Sequence, residues 1–347
     1  MRTTTTALMV AAGLLAASTA HAQEVEVYGQ AHLAFSYLDD GADYSAANLS
    51  SNGSRIGFRV GHDFTPAVRG MVQIEGQVNF DNNGAERFTS RNSFAGLQGD
   101  WGLLRAGRFD TPNKILRTRT DLFGNQVGDS RNVIRGNYDG NQGFDERFRK
   151  GVAYRTPTVS GFFADAHYSV ETAEDTNSVD GNENDAWSAS ITYRQGPVYA
   201  AVSHEQWNYS DAMAGGSRVY PQERDVTRAA AYVDIASFRI TGLAQTASDP
   251  DDNAYGGGVR YTVVPDVHLK AQYYLLDADD SDYDADLVAV GVDYQYADNL
   301  GFYANYSQID NEAAQNRQPW VQASTLDRTS AVGETASAFA VGTVYKF

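Results

Sequence analysis

The stretch "EVEVYGQAHLAFSYL", Glu24 to Leu38, alternates along its whole length. Val25, Val27, Gly29, Ala31, Leu33, Phe35 and Tyr37 share one face of an extended chain. Glu24, Glu26, Tyr28, Gln30, His32, Ala34 and Ser36 take the other. Successive side chains of a strand point to opposite sides, so this segment reads as a strand with one apolar and one largely polar face. "AVRGMVQIEGQVNF" (67–80) repeats the scheme, with Val68, Val72, Ile74, Val78 and Phe80 against Arg69, Gln73, Glu75, Gln77 and Asn79. In "VHLKAQYYL" (267–275), Val267, Leu269, Ala271, Tyr273 and Leu275 oppose His268, Lys270, Gln272 and Tyr274. Alternation over nine or more residues is the length a tilted strand needs to cross a bilayer. Strands of a soluble sandwich, the competing explanation, usually run only ~5–6 residues.

Composition agrees with strands that have lipid on one side and water on the other. The 347-residue chain carries 21 Tyr and 16 Phe, while its mean hydropathy is −0.44. Its net charge is −17, which argues against nucleic acid as a partner. With no cysteine a disulfide scaffold is excluded, and no window of eighteen apolar residues marks a transmembrane helix. "MRTTTTALMVAAGLLAASTAHA" opens with one basic residue, continues in an apolar run from Ala7 to Ala17 and ends in Ala20-His21-Ala22. That order is expected of a secretory signal peptide over 1–22; a buried N-terminal helix is the alternative. Removal of 22 of the 347 residues leaves 325, and loss of Arg2 takes the charge to −18.

Strands are expected near 24–38, 54–64, 67–80, 92–99, 102–109, 150–157, 161–171, 185–195, 197–209, 225–235, 237–247, 254–264, 266–277, 285–297, 299–309 and 335–347. Those sixteen make an all-β, 16-stranded antiparallel transmembrane barrel over residues 23–347, even-numbered as bacterial outer-membrane barrels are. The Gly-rich 92–109 region has room for a bulge. Tight turns at "TP" (65–66), "QGP" (195–197), "VVPD" (263–266) and "ADN" (297–299) alternate with long polar links at 39–53, 81–91, 172–184, 210–224 and 310–334. Short turns belong on the periplasmic side and long loops outside. One link is longer than the rest, "KILRTRTDLFGNQVGDSRNVIRGNYDGNQGFDERFRKG", Lys114 to Gly151. Loops of such length are usually functional or disordered.

Five motifs stand in order along the chain: "VEVYGQAHLAFSY", "SRIGFRVGHDF", "RNSFAGLQGDWGLLRAGRFDTP", "KGVAYRTP" and the closing "TASAFAVGTVYKF". In these the sequence resembles the Gram-negative general porins, trimeric sixteen-stranded diffusion channels of the outer membrane. The resemblance implies a homotrimer in the cell outer membrane, set among lipid and lipopolysaccharide, with no cofactor. It also implies that the terminal Phe347 is the signal read by the barrel-assembly machinery. In that family the third outward loop folds into the lumen, so 110–149 is expected to be a constriction loop.

Residue by residue, Arg55 in "SRIGF" and Arg91 in "RNSFAGL" match basic positions of the porin wall cluster, and Arg147 or Arg149 fits a third. Gln30 stands where several relatives carry lysine. Parity alone adds Arg59, Arg69 and Arg105 to the lumen face. Asp121 in "TDLFG" matches an acidic position of the inward loop. Enterobacterial members carry a Pro-Glu-Phe-Gly-Gly stretch where this chain has "DLFGNQVGD", and Asp129 is the substitute for the second acidic anchor.

From Asp110 to Arg149 there are six acids and seven bases, Arg117 and Arg119 among them. This segment is +1 in a strongly acidic protein, and the expectation is a weak preference for anions. The alternative is that these arginines only tie the loop to the wall. The acidic runs 171–185, 246–254 and 277–286 fall in outward loops, where they are either solvated or bind divalent cations among lipopolysaccharide phosphates. Catalysis has little to stand on. His32, His62, His167, His204 and His268 are scattered over separate strands, with no G-x-S-x-G and no HExxH. The reading is a passive channel for small hydrophilic solutes and ions; a sugar- or anion-specific channel and a purely structural or adhesive barrel are the alternatives.

Overall fold

A computed structural model describes residues 24–81, 89–135, 143–171, 185–208, 223–248, 251–321 and 330–347. The segment 1–22, read as a signal peptide, lies outside them, as does most of the expected links 81–91, 172–184 and 210–224. The wall begins with β1 (Glu24–Asp39), β2 (Ser45–Ser51), β3 (Arg55–Thr65), β4 (Val68–Gln77), β5 (Ser93–Gly99) and β6 (Gly102–Asp110). Two helices, α1 (Pro112–Thr120) and α2 (Arg131–Ile134), interrupt it. It resumes with β7 (Arg147–Arg155), β8 (Phe162–Ser169), β9 (Ala186–Gln195), β10 (Val198–Asn208), β11 (Glu223–Ile235) and β12 (Phe238–Ala247). β13 (Asp252–Val264), β14 (Val267–Asp277), β15 (Ala285–Ala297), β16 (Leu300–Asn311) and β17 (Ala336–Lys346) complete it.

Every neighbouring pair is antiparallel, and β17 returns to β1 from Gln30↔Lys346 to Asp39↔Ser337. The sheet is closed, so no backbone edge is left unpaired where lipid offers no hydrogen bonds. Seventeen strands make sixteen walls because β2 and β3 are one wall strand broken in two. β2 pairs with the upper half of β1 and β3 with its lower half. Between them, Gln30 to Leu33 faces Arg55 to Ser51, one residue more on the broken side. Ser54 bridges the break: its Oγ accepts from the His32 N–H at 2.9 Å and donates to the His32 carbonyl at 3.1 Å. The expected loop 39–53 is therefore half strand. "SAANLSS" has few apolar residues to announce one.

The two faces separate as the alternation demands. Ile191, Val202, Leu269 and Tyr273 are exposed on the outside, whereas Ser188, Ser203, Arg228 and Gln272 point inward and are buried. Short turns at 66–67, 265–266 and 298–299 are each preceded by a register shift. The Gly-rich hairpin bulges between Gly107 and Phe109. At the seam, the Gly29 N–H donates to the Phe347 carbonyl at 2.9 Å, and the Phe347 ring lies where a Gly29 side chain would be. No helix among the described residues is long and apolar enough to cross a membrane; the strands supply that length.

Candidate channel constriction

The insert between β6 and β7 starts as a helix because its first residues stop one strand and cap the next element. Thr111 accepts the Lys114 N–H through its side chain, and Pro112 occupies the first turn, where its missing N–H costs nothing. Arg117 and Arg119 sit in the last turn, against the negative end of the helix dipole. α1 then lies on the inward face of β9 to β12. Ser203 donates to Asn113 Oδ1 at 3.0 Å and Arg228 to the Asn113 carbonyl at 2.9 Å.

Farther along, the insert reaches the opposite wall. Gln272 donates to the Gly128 carbonyl at 2.7 Å and to Asp121 at 3.1 Å. Lys270 and Asn305 both donate to Gln126 Oε1, at 2.6 and 2.7 Å. Gly128, at φ +93°, lets the backbone come so close that a Cβ there would stand 2.5 Å from the Cβ of Ala289. All these partners belong to the inner face, so the insert spans the lumen.

Its framework is a buried charge cluster. Arg117 holds Asp129 at 2.9 Å, Asp121 at 3.1 Å and Asp145 at 3.3 Å, and Asp145 takes Arg228 at 2.7 Å. Burial and the neighbouring Asp129 push Asp121 up to about 7. Burial works against Asp129 and Asp145 too, but Arg117 beside the first and Arg228 with Arg117 beside the second hold both below the usual carboxylate range. Arg117 stays firmly cationic, since three carboxylates outweigh its loss of water. At the outer end Glu146 takes Arg131 and Arg135, each at 2.8 Å.

Between the insert and β3 to β7 lies a cavity of about 950 Å³. Arg55, Arg91, Lys114, Arg117, Arg131, Arg135, Arg147 and Arg317 line it, against only Asp110 and Asp129. On the wall, Glu75 is shared by Arg91 at 2.7 Å and Arg55 at 3.7 Å, while Tyr28 donates its hydroxyl to the same carboxylate at 2.9 Å. Gln30, in place of a lysine, accepts from Arg55 at 3.3 Å.

Of the residues singled out in the sequence, Arg55, Arg91, Arg117, Asp129 and Arg147 come together around this cavity, with Asp121 buried behind Arg117. Arg147, not Arg149, is the one of that pair in the lining. Arg119 is exposed on α1 and makes no ion pair among the described residues. Arg59, Arg69 and Arg105 are not part of the lining. Arg59 pairs with Glu26 at 3.1 Å, Arg69 with Glu24 and with Asp63 at 3.4 Å near the 66–67 turn, and Arg105 lies over the rings of Phe94 and Phe109. Parity carries no information on height along the barrel axis.

Lys114, Arg131 and Arg135 of the lining entered the sequence reading only through the charge count over 110–149, and two arginines from outside that segment were missed. Arg228 stands at the edge of the Ala229–Ala231 run of β11, and inward parity was its only signal. Arg317 comes from the last long loop, which dips to meet the insert: it donates to the Asn132 carbonyl at 2.8 Å, and Gly128 N–H donates to the Pro319 carbonyl at 2.7 Å. Pro-Trp at 319–320 is an apolar signal in a polar link; Trp320 is buried. Elsewhere in the lumen His32 meets Tyr303, whereas His204 lies on the outer face with Val202 and meets Thr227 there. Among the described residues no three His, Asp or Glu side chains converge to hold a metal. In the acidic run 277–286, Asp280 and Asp284 cap backbone N–H groups.

Residues 4–314 match the family model described as Gram-negative porin. Outer membrane porin protein 32 of Delftia acidovorans is 26% identical over 323 residues, 88% of this chain and 90% of that protein. An outer membrane porin protein of Bordetella pertussis is 29% identical over 226 residues, 62% of this chain and 56% of its own. Among solved structures, an anion-selective porin from Comamonas acidovorans superposes with a TM-score of 0.80 at 24% identity, covering 94% of this chain and all of that one. OmpT of Vibrio cholerae in a trimer form gives 0.68 at 17% identity, over 94% of this chain and all of the other. The chain therefore belongs to the Gram-negative porin family, as a non-enzymatic β-barrel channel of the outer membrane.

Proposed function

We propose that this porin is a homotrimeric general diffusion channel that prefers anions. The observation that carries the preference is the lining of the cavity beside the insert, eight basic side chains against two carboxylates. Low-dielectric walls focus such a field and raise the local concentration of the opposite charge. Arg55, Arg91, Arg117 and Arg147 with Asp129 form the throat in this reading, and Arg119, exposed on α1, adds a charge with no ion pair among the described residues. Asp121 acts from behind by fixing Arg117, while Arg59, Arg69 and Arg105 flank the path on the short-turn side. The Comamonas acidovorans porin, described as anion-selective, has the same fold. Reversal potential across a planar bilayer under a KCl gradient tests the proposal; a cation preference overturns it.

The trimer is supported by the outer wall of β3 to β7, where Val60, Val72, Ala95, Leu97, Leu104 and Val152 border an apolar dent of about 550 Å³. Closure of single insertions in three equal steps is the expected record. Residues 1–22 act as the export leader, which mass spectrometry of the mature protein checks by an N-terminus at Gln23. Phe347 closes the seam against Gly29, and assembly factors read that end before closure.

A further inference from the structure

We propose that Arg260 is an oxyanion-binding station on the short-turn side of the throat, taking the carboxylate or phosphate group of a passing solute. The register of β12, β13 and β14 sets three cations abreast on the inner face, Arg239 opposite Arg260 and Arg260 opposite Lys270. Like charges placed directly opposite one another repel, so each needs a counter-charge. Arg239 has one: Asp234 accepts two hydrogen bonds from it, each 2.7 Å. Lys270 has one as well, Asp293 at 2.8 Å, and its ammonium is further committed to the Leu122 carbonyl and Gln126 of the insert.

Arg260 has none. Among the described residues its guanidinium makes no ion pair within 4 Å, and its buried Nε meets no acceptor. The carboxylates in its electrostatic reach are Asp234 and Asp293, already held by its two neighbours. Three cations against two carboxylates leave one positive charge, centred on the residue with unused donors.

Position makes this charge a station and not a surface ornament. Two residues before it, Gly258 lies under Leu122 of the insert, whose side chain would meet a Cβ there at 2.8 Å. Arg260 is thus the next inward residue below the throat on β13, toward the 265–266 turn. A guanidinium presents parallel N–H groups that match two oxygens of one carboxylate or phosphate, a geometry chloride cannot use. The station therefore discriminates among anions that the throat admits alike. It rests on the reading of the lumen as an anion path.

The test is chloride current through the purified protein in planar bilayers as potassium sulfate is added, sulfate being an oxyanion whose charge is constant over the working pH. Wild-type current is expected to fall saturably. Arg260→Gln should weaken the apparent sulfate affinity by at least about tenfold, the loss of a charged hydrogen-bond donor pair. Arg260→Lys, which keeps the charge without the fork, should fall between the two. Arg194→Gln, which removes another inward charge near the short turns, should leave sulfate inhibition intact. The proposal is overturned by unsaturable wild-type current, by equal weakening in Arg194→Gln, or by Arg260→Lys binding sulfate as tightly as wild type. An anion-preferring KCl reversal potential without sulfate inhibition removes the station and leaves the throat; the converse pair of results removes the throat alone.

Discussion

Arg228 on β11 and Asp145 at the end of the insert are joined at 2.7 Å with no solvent exposure on either side chain. Removing one member of a buried pair strands the other's charge and costs ~3–5 kcal/mol, whereas removing both together is often close to neutral. Arg117 still reaches Asp145 at 3.3 Å, so the cost here belongs at the lower end. Arg228→Leu is expected to cost about 3 kcal/mol of stability, seen as a lower thermal midpoint in detergent, and Arg228→Leu with Asp145→Leu to recover most of it. A double variant no better than the single would show that the pair does not hold the insert.

Asp121 gives the insert a pH dependence of unusual sign. Its folded value near 7 lies above the ordinary value of about 4, so the folded state keeps a proton that the unfolded chain releases. Stability contributed by this group is complete below about pH 4 and is lost as pH rises toward 7. Asp129, Asp145 and Glu146 behave oppositely, and their contributions are lost only in stronger acid. Between pH 5 and 7 the thermal midpoint should fall in the wild type, and the slope should flatten in Asp121→Asn. An unchanged slope in the variant would exclude Asp121 as its source.

The wall was legible from residues 24–38 onward because a two-residue period fixes which side chain meets lipid, and closed barrels admit few exceptions. Height along the axis was not legible, which is why Arg59 and Arg69 were grouped with Arg55. Partners distant in sequence were equally hidden: Arg228 meets Asp145 across 83 positions and Arg317 meets Asn132 across 185. A charge count over 110–149 found the arginine-rich island but could not tell Arg117, locked by three carboxylates, from Arg119, which holds none among the described residues.

Gly29 and Phe347 test the seam. A Cβ on Gly29 would stand 2.2 Å from Phe347 Cζ, so Gly29→Val must displace the ring, at the ~1–3 kcal/mol typical of overpacking. Folded, heat-resistant protein in the outer membrane should fall sharply, as it should on deletion of Phe347. Normal yield from Gly29→Val would mean that the ring's seat on β1 is dispensable.

Lys114 should make selectivity respond to alkali. Burial, with Arg147 and Arg131 nearby, lowers it to about 8 although Asp110 opposes the shift. Its charge is present below that pH and lost above it, so anion preference should weaken between pH 7 and 9. Reversal potentials measured across this range should drift in the wild type and stay level in Lys114→Met. A drift that survives the substitution would assign the titration elsewhere.

Glu75 offers the sharpest change in the throat's charge. One carboxylate is divided between Arg55 and Arg91 and also accepts the Tyr28 hydroxyl, so the wall cluster is already one positive charge in excess. Glu75→Gln keeps the side chain's size and raises that excess to two. Anion preference should rise, while Arg55→Gln and Arg91→Gln should each lower it. The released guanidiniums face water in the cavity and are not stranded in apolar surroundings, so the stability cost should be smaller than for Arg228→Leu. If the glutamine variant leaves the reversal potential where it was, the selecting charges do not lie on this wall.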